Sequence, residues 1–493
     1  MTRKRQLLPT VIVLLALLVS AAGLPAPAGE PAAGKPERPN LVFVLLDNLG
    51  KEWFGAYGSE EGVTPNIDRL AEAGVRIENC YTPTVCGPSR ITALTGRYLL
   101  RSGLTLHHDA ALYSGGGLDP GREVTFARPL REAGYATGMF GKWQINNLYD
   151  EPEVIRRHGF DEYLLWPGSL DRDKVSSSEY DHFMERVLAN DFAFTTKMIG
   201  NIESRYWDVV TLDHRQKRTV HRGRFGPDVF QEAAYDFIRR HRDRPFLLYL
   251  PSPLTHGWTF TDPVTYTPLN MAPDRPHRDM YRDMIRYADL LVGQLVEELR
   301  RQGVLDRTIL FVGTDNGTEA SFSARFRGRM VQGELYRLTE PGSNVPMIVY
   351  GPRYIPGGRT LKLADFSDLL PTFCELAGAP LPEGVILDGR SFARTLLDPS
   401  VPEPRSWIFN QYHDERVVSD GCFKLYADGR LFDLNNDFHE QEDLAAGNDA
   451  AVQAARQRLQ AALDSLPPNA DPPFPIRSQS AFRLRSGLGS ATK

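Results

Sequence analysis

The chain has 493 residues, 42% of them hydrophobic and 24% charged, which is enough apolar content for a large core. A formal charge of -5 is close to balanced over that length, so neither a nucleic-acid partner nor a membrane-surface partner is expected. The cysteines, Cys80, Cys86, Cys374 and Cys422, are too few for a disulfide scaffold and lack zinc-like spacing; if Cys86 is reactive, at most one pair remains.

In chain order, the basic residues Arg3, Lys4 and Arg5 precede an apolar run over 11–19 and then small residues, the layout of a secretory signal peptide. The run falls short of the about 20 residues of a permanent anchor. Cleavage after Ala22 or Ala28 is therefore expected, with the mature chain exported to the periplasm or beyond and carrying no membrane span. Residues 1–28 are read as this leader and the Pro- and Ala-rich residues 29–38 as a linker.

The run "LVFVLL" over 41–46 suits a strand buried on both faces of a parallel sheet, and it ends at Asp47-Asn48. A helix follows, with Thr64 expected as its cap, Pro65 at the first position and Gly74 as the stop. "GYATGMFGKWQ" predicts a second strand ending at Gly141-Lys142, after a helix that includes 130–133. A third strand over 246–250 empties into a loop with His256, and a long amphipathic helix over 279–302 leads to a fourth strand ending at Asp315-Asn316. From about residue 406 short alternating strands appear, with Asp428-Gly429 as a hairpin turn, and then a helix over 449–466.

The pattern predicts an α/β fold: a large, mostly parallel but mixed sheet with helices on both faces over 39–400. A smaller C-terminal α+β subdomain with a short antiparallel sheet spans 401–467, and a loose tail follows over 468–493. In such sheets ligands bind off the carboxyl ends of the strands, where the acid-amide pairs, Lys142 and His256 fall.

Acid-amide pairs after strands often only make turns. Two of them together, however, offer the oxygen ligands that a hard cation such as calcium takes. Cys86 precedes Pro88-Ser89-Arg90 and a helix over 91–94, which places its side chain at a helix N-terminus. It is read either as a small buried hydrophobe or, as a thiol, a nucleophile of lowered pKa.

"VCGPSRITALTGR" resembles the Cys-x-Pro-Ser-Arg signature of type I sulfatases, in the alkaline phosphatase superfamily. The resemblance extends in order through "RPNLVFVLLDNLG", "TPNIDRLAEAGVRIENCY", "GYATGMFGKWQ", "TILFVGTDNGT", "VPMIVYGP" and "FKLYADGRLFDL". It implies that Cys86 is converted by a formylglycine-generating enzyme to formylglycine, whose hydrate attacks sulfur and then expels sulfate without a separate hydrolysis. It further implies Asp47, Asn48, Asp315 and Asn316 as metal ligands, for calcium rather than magnesium, with Arg90 orienting the hydrate. Lys142 would contact nucleophile and sulfate, and His256 would protonate the leaving alcohol.

The chain departs from the family pattern at three positions. Asn48 stands where an aspartate is usual and Gln144 where a histidine is usual. Glu334 occupies the place of a sulfate-binding lysine, where a carboxylate about 4 Å from sulfate would cost roughly 4 kcal/mol at an effective dielectric of 20. Either Glu334 points away or is paired, with Arg337 or Arg329 taking the basic role, or the chemistry is something other than efficient sulfate release. Tyr206 and Trp207, close to several Arg and His residues, are candidates to line a sugar pocket. The expected function is an exported sulfuric ester hydrolase acting on sulfated carbohydrate. A phosphate or phosphonate ester hydrolase and a non-catalytic binder of sulfated glycans are the alternatives.

Overall fold

Strand β1 (Asn40–Leu46) is buried along its whole length, and its side chains alternate between two separate cores. Leu41, Phe43 and Leu45 enter one core, while Val42, Val44 and Leu46 enter the other. A strand covered on both faces needs an unbroken apolar run, which is why this segment shows no polar alternation.

The computed structural model describes residues 38–105, 117–146, 148, 151–168, 205–256, 265, 267–272 and 275–473. The expected leader, the linker up to residue 37 and the tail from residue 474 lie outside the described residues. The described residues, from Arg38 onward, belong to one compact unit.

Around β1 the sheet uses β2 (Val75–Tyr81), β3 (Ala136–Lys142), β4 (Glu162–Trp166), β5 (Val210–Asp213) and β6 (Arg218–Val220). It also uses β7 (Phe246–Pro251) and β8 (Thr308–Thr314). A hairpin of β9 (Ser323–Phe326) and β10 (Arg329–Gln332) stands apart, before β11 (Asn344–Tyr350) and β12 (Arg359–Asp365) complete the large sheet. Among the described residues the order is β12-β2-β11-β8-β1-β7-β3-β4-β5-β6. β11 and β5 run against their neighbours, and the remaining neighbouring pairs are parallel. The carboxyl ends of β1, β2, β3, β7 and β8 consequently share one edge of the sheet.

The helices Pro65–Ala73, Gly226–His241 and His277–Arg301 pack Ile67, Phe237 and Leu295 into the Val42 face. The helices Cys86–Thr95, Ala127–Glu132 and Leu369–Ala377 pack Leu94, Leu130 and Phe373 into the opposite face. Helices on both faces are what a buried parallel sheet requires.

Thr64 sits at the expected start of its helix but does not cap it. Its Oγ1 accepts from Gly55 N and donates to Asp68 Oδ1, each at 3.1 Å. The free amides of Asn66 and Ile67 are instead taken by Asp289 Oδ1, at 2.9 and 2.8 Å, from the long helix packed alongside.

At the C-terminal end β13 (Ile408–Tyr412), β14 (Glu415–Ser419), β15 (Phe423–Tyr426) and β16 (Leu431–Asp433) form an antiparallel sheet. Gly429 takes the left-handed conformation that the hairpin between β15 and β16 needs, at φ +98°. The helix Ala450–Asp464 covers this sheet and is capped by Asp449, whose carboxylate accepts from Ala451 N at 2.8 Å. Two buried cations join this layer to the larger one. Lys424 Nζ lies 2.8 Å from both Glu340 and Glu440, and Arg405 forks onto Asp368 at 2.6 to 2.8 Å.

Candidate active site

The side chains singled out in sequence converge where the strand ends meet. Asp47 and Asn48 follow β1, Lys142 ends β3, and Asp315 and Asn316 follow β8. Cys86 is the first residue of the Cys86–Thr95 helix, so that helix begins earlier than the 91–94 expected from sequence. Cys86 Sγ lies 3.2 Å from Asp47 Oδ1 and 3.4 Å from Asn48 Oδ1.

Asp47, Asp315 and Cys86 each offer a ligand atom within 4.8 Å of the others. Arg90, one turn along from Cys86, donates from Nε and Nη2 to Asp315 Oδ2 at 3.0 and 2.7 Å, and from Nη1 to Lys142 O at 2.9 Å. Lys142 Nζ donates to Asp47 Oδ2. Asn316 Nδ2 donates to Asn48 Oδ1 at 2.6 Å.

Charge pairing decides the protonation states. Burial pushes Asp47 up, but Lys142, His256 and Arg90 outweigh it and hold the carboxyl well below its ordinary range. Asp315 is raised to about 6 by burial and by the neighbouring Asp47 carboxylate, against the pull of Arg90 and Lys142. Both acids are therefore ionised at neutral pH, and Arg90 and Lys142 balance their charge.

The Cys86 thiol contradicts the lowered pKa expected at a helix start. Burial, then Asp315 and Asp47, push it well above the ordinary value, and the helix terminus does not compensate. An unmodified thiol in this place is a poor nucleophile. No disulfide forms among the described residues: Cys80, Cys86 and Cys374 are free and buried, and Cys422 is free and exposed.

The residues present fit a hard cation. Two carboxylates and two carboxamides face one another, and Asn316 Oδ1 is buried with no hydrogen-bond partner among the described residues. A buried carbonyl oxygen left without a donor is what a cation ligand looks like before its ion is added.

Residues not singled out in the sequence hold the ligand backbones in place. Thr255 donates from N and Oγ1 to Asp47 O at 2.7 and 3.0 Å, Tyr281 donates to Asn48 O at 2.9 Å, and Thr82 donates to Asp315 O at 3.1 Å. Their adjacency depends on strand order, and only Thr255, next to His256, was discoverable from a motif.

The remaining predicted residues are less uniform. His256 lies in the loop after β7, near enough for its charge to lower Asp47. Gln144 follows β3 in a left-handed conformation, φ +56°, with its Oε1 buried and unpartnered among the described residues. The Glu334 carboxylate accepts from the Thr339 hydroxyl within its own loop. No ion pair joins it to Arg337 or Arg329 among the described residues; Arg337 is exposed, and Arg329 stacks over Phe438 at 4.5 Å. Trp207 packs its ring on Phe225, 5.1 Å between centroids, and sits against the Val42-side core.

The family model described as Sulfatase matches residues 39–379. Arylsulfatase A of Homo sapiens is 32% identical over 421 residues, covering 81% of this chain and 74% of the relative. Steryl-sulfatase of Mus musculus is 28% identical over 570 residues, covering 95% and 89%. Among solved structures, Ps i-CgsB in complex with k-i-k-neocarrahexaose superposes with TM-score 0.70 at 24% identity, covering 92% of this chain and 98% of that one. A structure in complex with its substrate D-Glucosamine-2-N, 6-O-disulfate gives TM-score 0.64 at 19% identity, covering 87% and 97%. With a family match running from the first sheet strand to the helix after β12, and a human relative sharing about a third of aligned positions, the chain belongs to the type I sulfatase family and is a sulfuric ester hydrolase.

Proposed function

We propose that the chain is an exported, metal-dependent sulfatase that releases sulfate from sulfated carbohydrates, with Cys86 converted to formylglycine by a formylglycine-generating enzyme. The observation that carries this reading is the Cys86 sulfur, 3.2 Å from Asp47 Oδ1 and 3.4 Å from Asn48 Oδ1, beside two buried cations. The catalytic portion is assigned to residues 39–400 and the C-terminal subdomain to 401–467.

In this reading Asp47, Asn48, Asp315 and Asn316 hold the cation, and their four protein oxygens suit calcium better than magnesium, which keeps more of its water. When bound, the cation lowers the nucleophile's pKa and offsets charge on the sulfuryl group, and the hydrated aldehyde supplies an attacking hydroxyl that can later release sulfate. Arg90 and Lys142 already neutralise Asp47 and Asp315, so the loaded site carries net positive charge and attracts an anionic ester. Lys142 donates to sulfate oxygens, Arg90 fixes the orientation of the group at position 86, and His256 gives a proton to the departing oxygen. Gln144 contributes a hydrogen bond to the substrate, which its buried and unpartnered Oε1 supports.

Sulfated sugar as substrate is supported by the structural neighbour bound to D-Glucosamine-2-N, 6-O-disulfate. Export is supported by the leader pattern at the N-terminus, and among the described residues no helix is long and apolar enough to cross a membrane. The test is mass spectrometry of the Cys86 peptide from the native host, together with sulfate release from sulfated sugars and aryl sulfates. Conversion of Cys86 with preferential turnover of sugar sulfates is the expected result. A fully thiol Cys86 overturns the mechanism, and turnover confined to aryl sulfates overturns the substrate class.

A further inference from the structure

From the Tyr206 hydroxyl, which lies 2.6 Å from the His256 carbonyl and 2.9 Å from the Pro253 carbonyl, we infer that Tyr206 is a positioning residue that aims His256 at the leaving oxygen. The inference rests on the proposed role of His256 as proton donor. Sequence alone suggested a sugar-stacking role for Tyr206; the structure turns its hydroxyl to the backbone of the loop that carries His256.

The described part of that loop, residues 252–256, is held from two sides. On the sheet side, Asp47 N donates to Leu254 O and Thr255 N donates to Asp47 O, both at 2.7 Å, which fixes the loop to the metal-site strand. His256 N closes a turn onto Pro253 O at 3.1 Å. On the far side, Tyr206 reaches across that same turn to both of its carbonyl groups. The loop therefore has its Asp47 contacts whether or not Tyr206 is present, and the tyrosine adds a restraint at the His256 carbonyl itself.

Tyr206 is itself well anchored. Its ring stacks on Phe225, 5.8 Å between centroids and 15° between planes, and Gly226 N donates to Tyr206 O at 2.5 Å. Phe225 in turn meets Tyr287 of the long helix edge-on at 5.4 Å. The hydroxyl is thus presented by a ring whose position the core fixes, and a Phe in its place keeps that packing while losing the hydrogen bond.

The chemical consequence is selective. As the S–O bond to the leaving group breaks, the departing oxygen keeps the bonding electron pair and takes a proton from the His256 imidazolium, while sulfur bonds to the nucleophile at position 86. A strongly acidic phenol leaves without that proton, whereas a weakly acidic one does not. Misaiming His256 therefore slows poor leaving groups and spares good ones.

The experiment compares wild type, Tyr206→Phe and His256→Ala, each isolated with Cys86 converted and calcium added, on para-nitrophenyl, phenyl and para-methoxyphenyl sulfate. Tyr206→Phe is expected to lower kcat for the phenyl and para-methoxyphenyl esters by roughly tenfold, the worth of one well-placed hydrogen bond, with KM little changed and para-nitrophenyl sulfate nearly unaffected. His256→Ala should show the same selectivity more strongly. Equal loss on all three esters, or no loss, in Tyr206→Phe while His256→Ala remains selective overturns the positioning role and leaves the His256 assignment standing. If His256→Ala is unselective, the proton-donor reading fails, and the inference fails with it.

Discussion

Acidification should destabilise the packing behind the strand end that carries Lys142, and His158 should be the cause. This imidazole is fully buried beneath Trp143, 5.4 Å between ring centroids, and its Nε2 donates to Leu118 O at 3.1 Å. The same carbonyl accepts from Asn146 Nδ2 at 3.0 Å, and Asn146 Oδ1 accepts from Trp143 Nε1 at 3.1 Å, so the ring belongs to the packing behind "GKWQ". Nδ1 has no hydrogen-bond partner among the described residues, so the charged form would bury an unanswered proton. Burial, with Arg128 and Arg157 nearby, lowers the pKa from 6.5 to about 4. The folded state therefore binds this proton less readily than the unfolded chain. Stability from neutral His158 is complete above the unfolded value of 6.5 and is lost as pH falls toward about 4. Between about pH 7.5 and about pH 4.5 this one group accounts for about 2.5 kcal/mol. Urea unfolding of wild type and His158→Gln at those two pH values measures it: the variant should lose about 2.5 kcal/mol less on acidification, since the other titrating groups cancel in the comparison. Equal acid losses in the two proteins would refute the argument, because His158 would then be charged, or solvated, in the folded state.

Three further outcomes follow from the same structure. Asn48→Asp restores a carboxylate to the cation site and should tighten calcium binding by about tenfold or more in a calorimetric titration; unchanged affinity would remove Asn48 from the ligand set. Glu334→Gln should change kcat/KM on any sulfate ester by no more than about threefold, because Thr339 holds the carboxylate within its loop; a rise approaching a thousandfold would mean that Glu334 repels sulfate after all. Arg405→Met strands Asp365 and Asp368 without their cation, so unfolding free energy should fall by about 3 to 5 kcal/mol. Adding Asp368→Asn should recover part of that loss, and a double variant no more stable than the single would count against the pairing.

Much of the architecture follows from features that act over a few residues. The apolar run at 41–46 reads as a strand buried on both faces, and it is; the segments over 246–250 and leading up to Asp315-Asn316 read as strands, and they are strands too. Likewise Asp428-Gly429 makes its turn and Asp449 caps its helix, since both depend on backbone groups one to three residues away. The ordered motifs also told which side chains end the central strands, because a strand's last residue is fixed by where its apolar run stops. Tertiary structure decided the rest. Thr64 yields its capping role to Asp289, more than two hundred positions along the chain, because helix packing brings a carboxylate to the free amides. Cys86 has a raised thiol pKa because burial removes water and sheet order then places Asp315 and Asp47 beside it, effects that outweigh a helix terminus and depend on no local pattern. The Tyr206 hydroxyl meets the His256 loop because the direction of a side chain is settled by what it packs against, and that is known only once distant strands have taken their places.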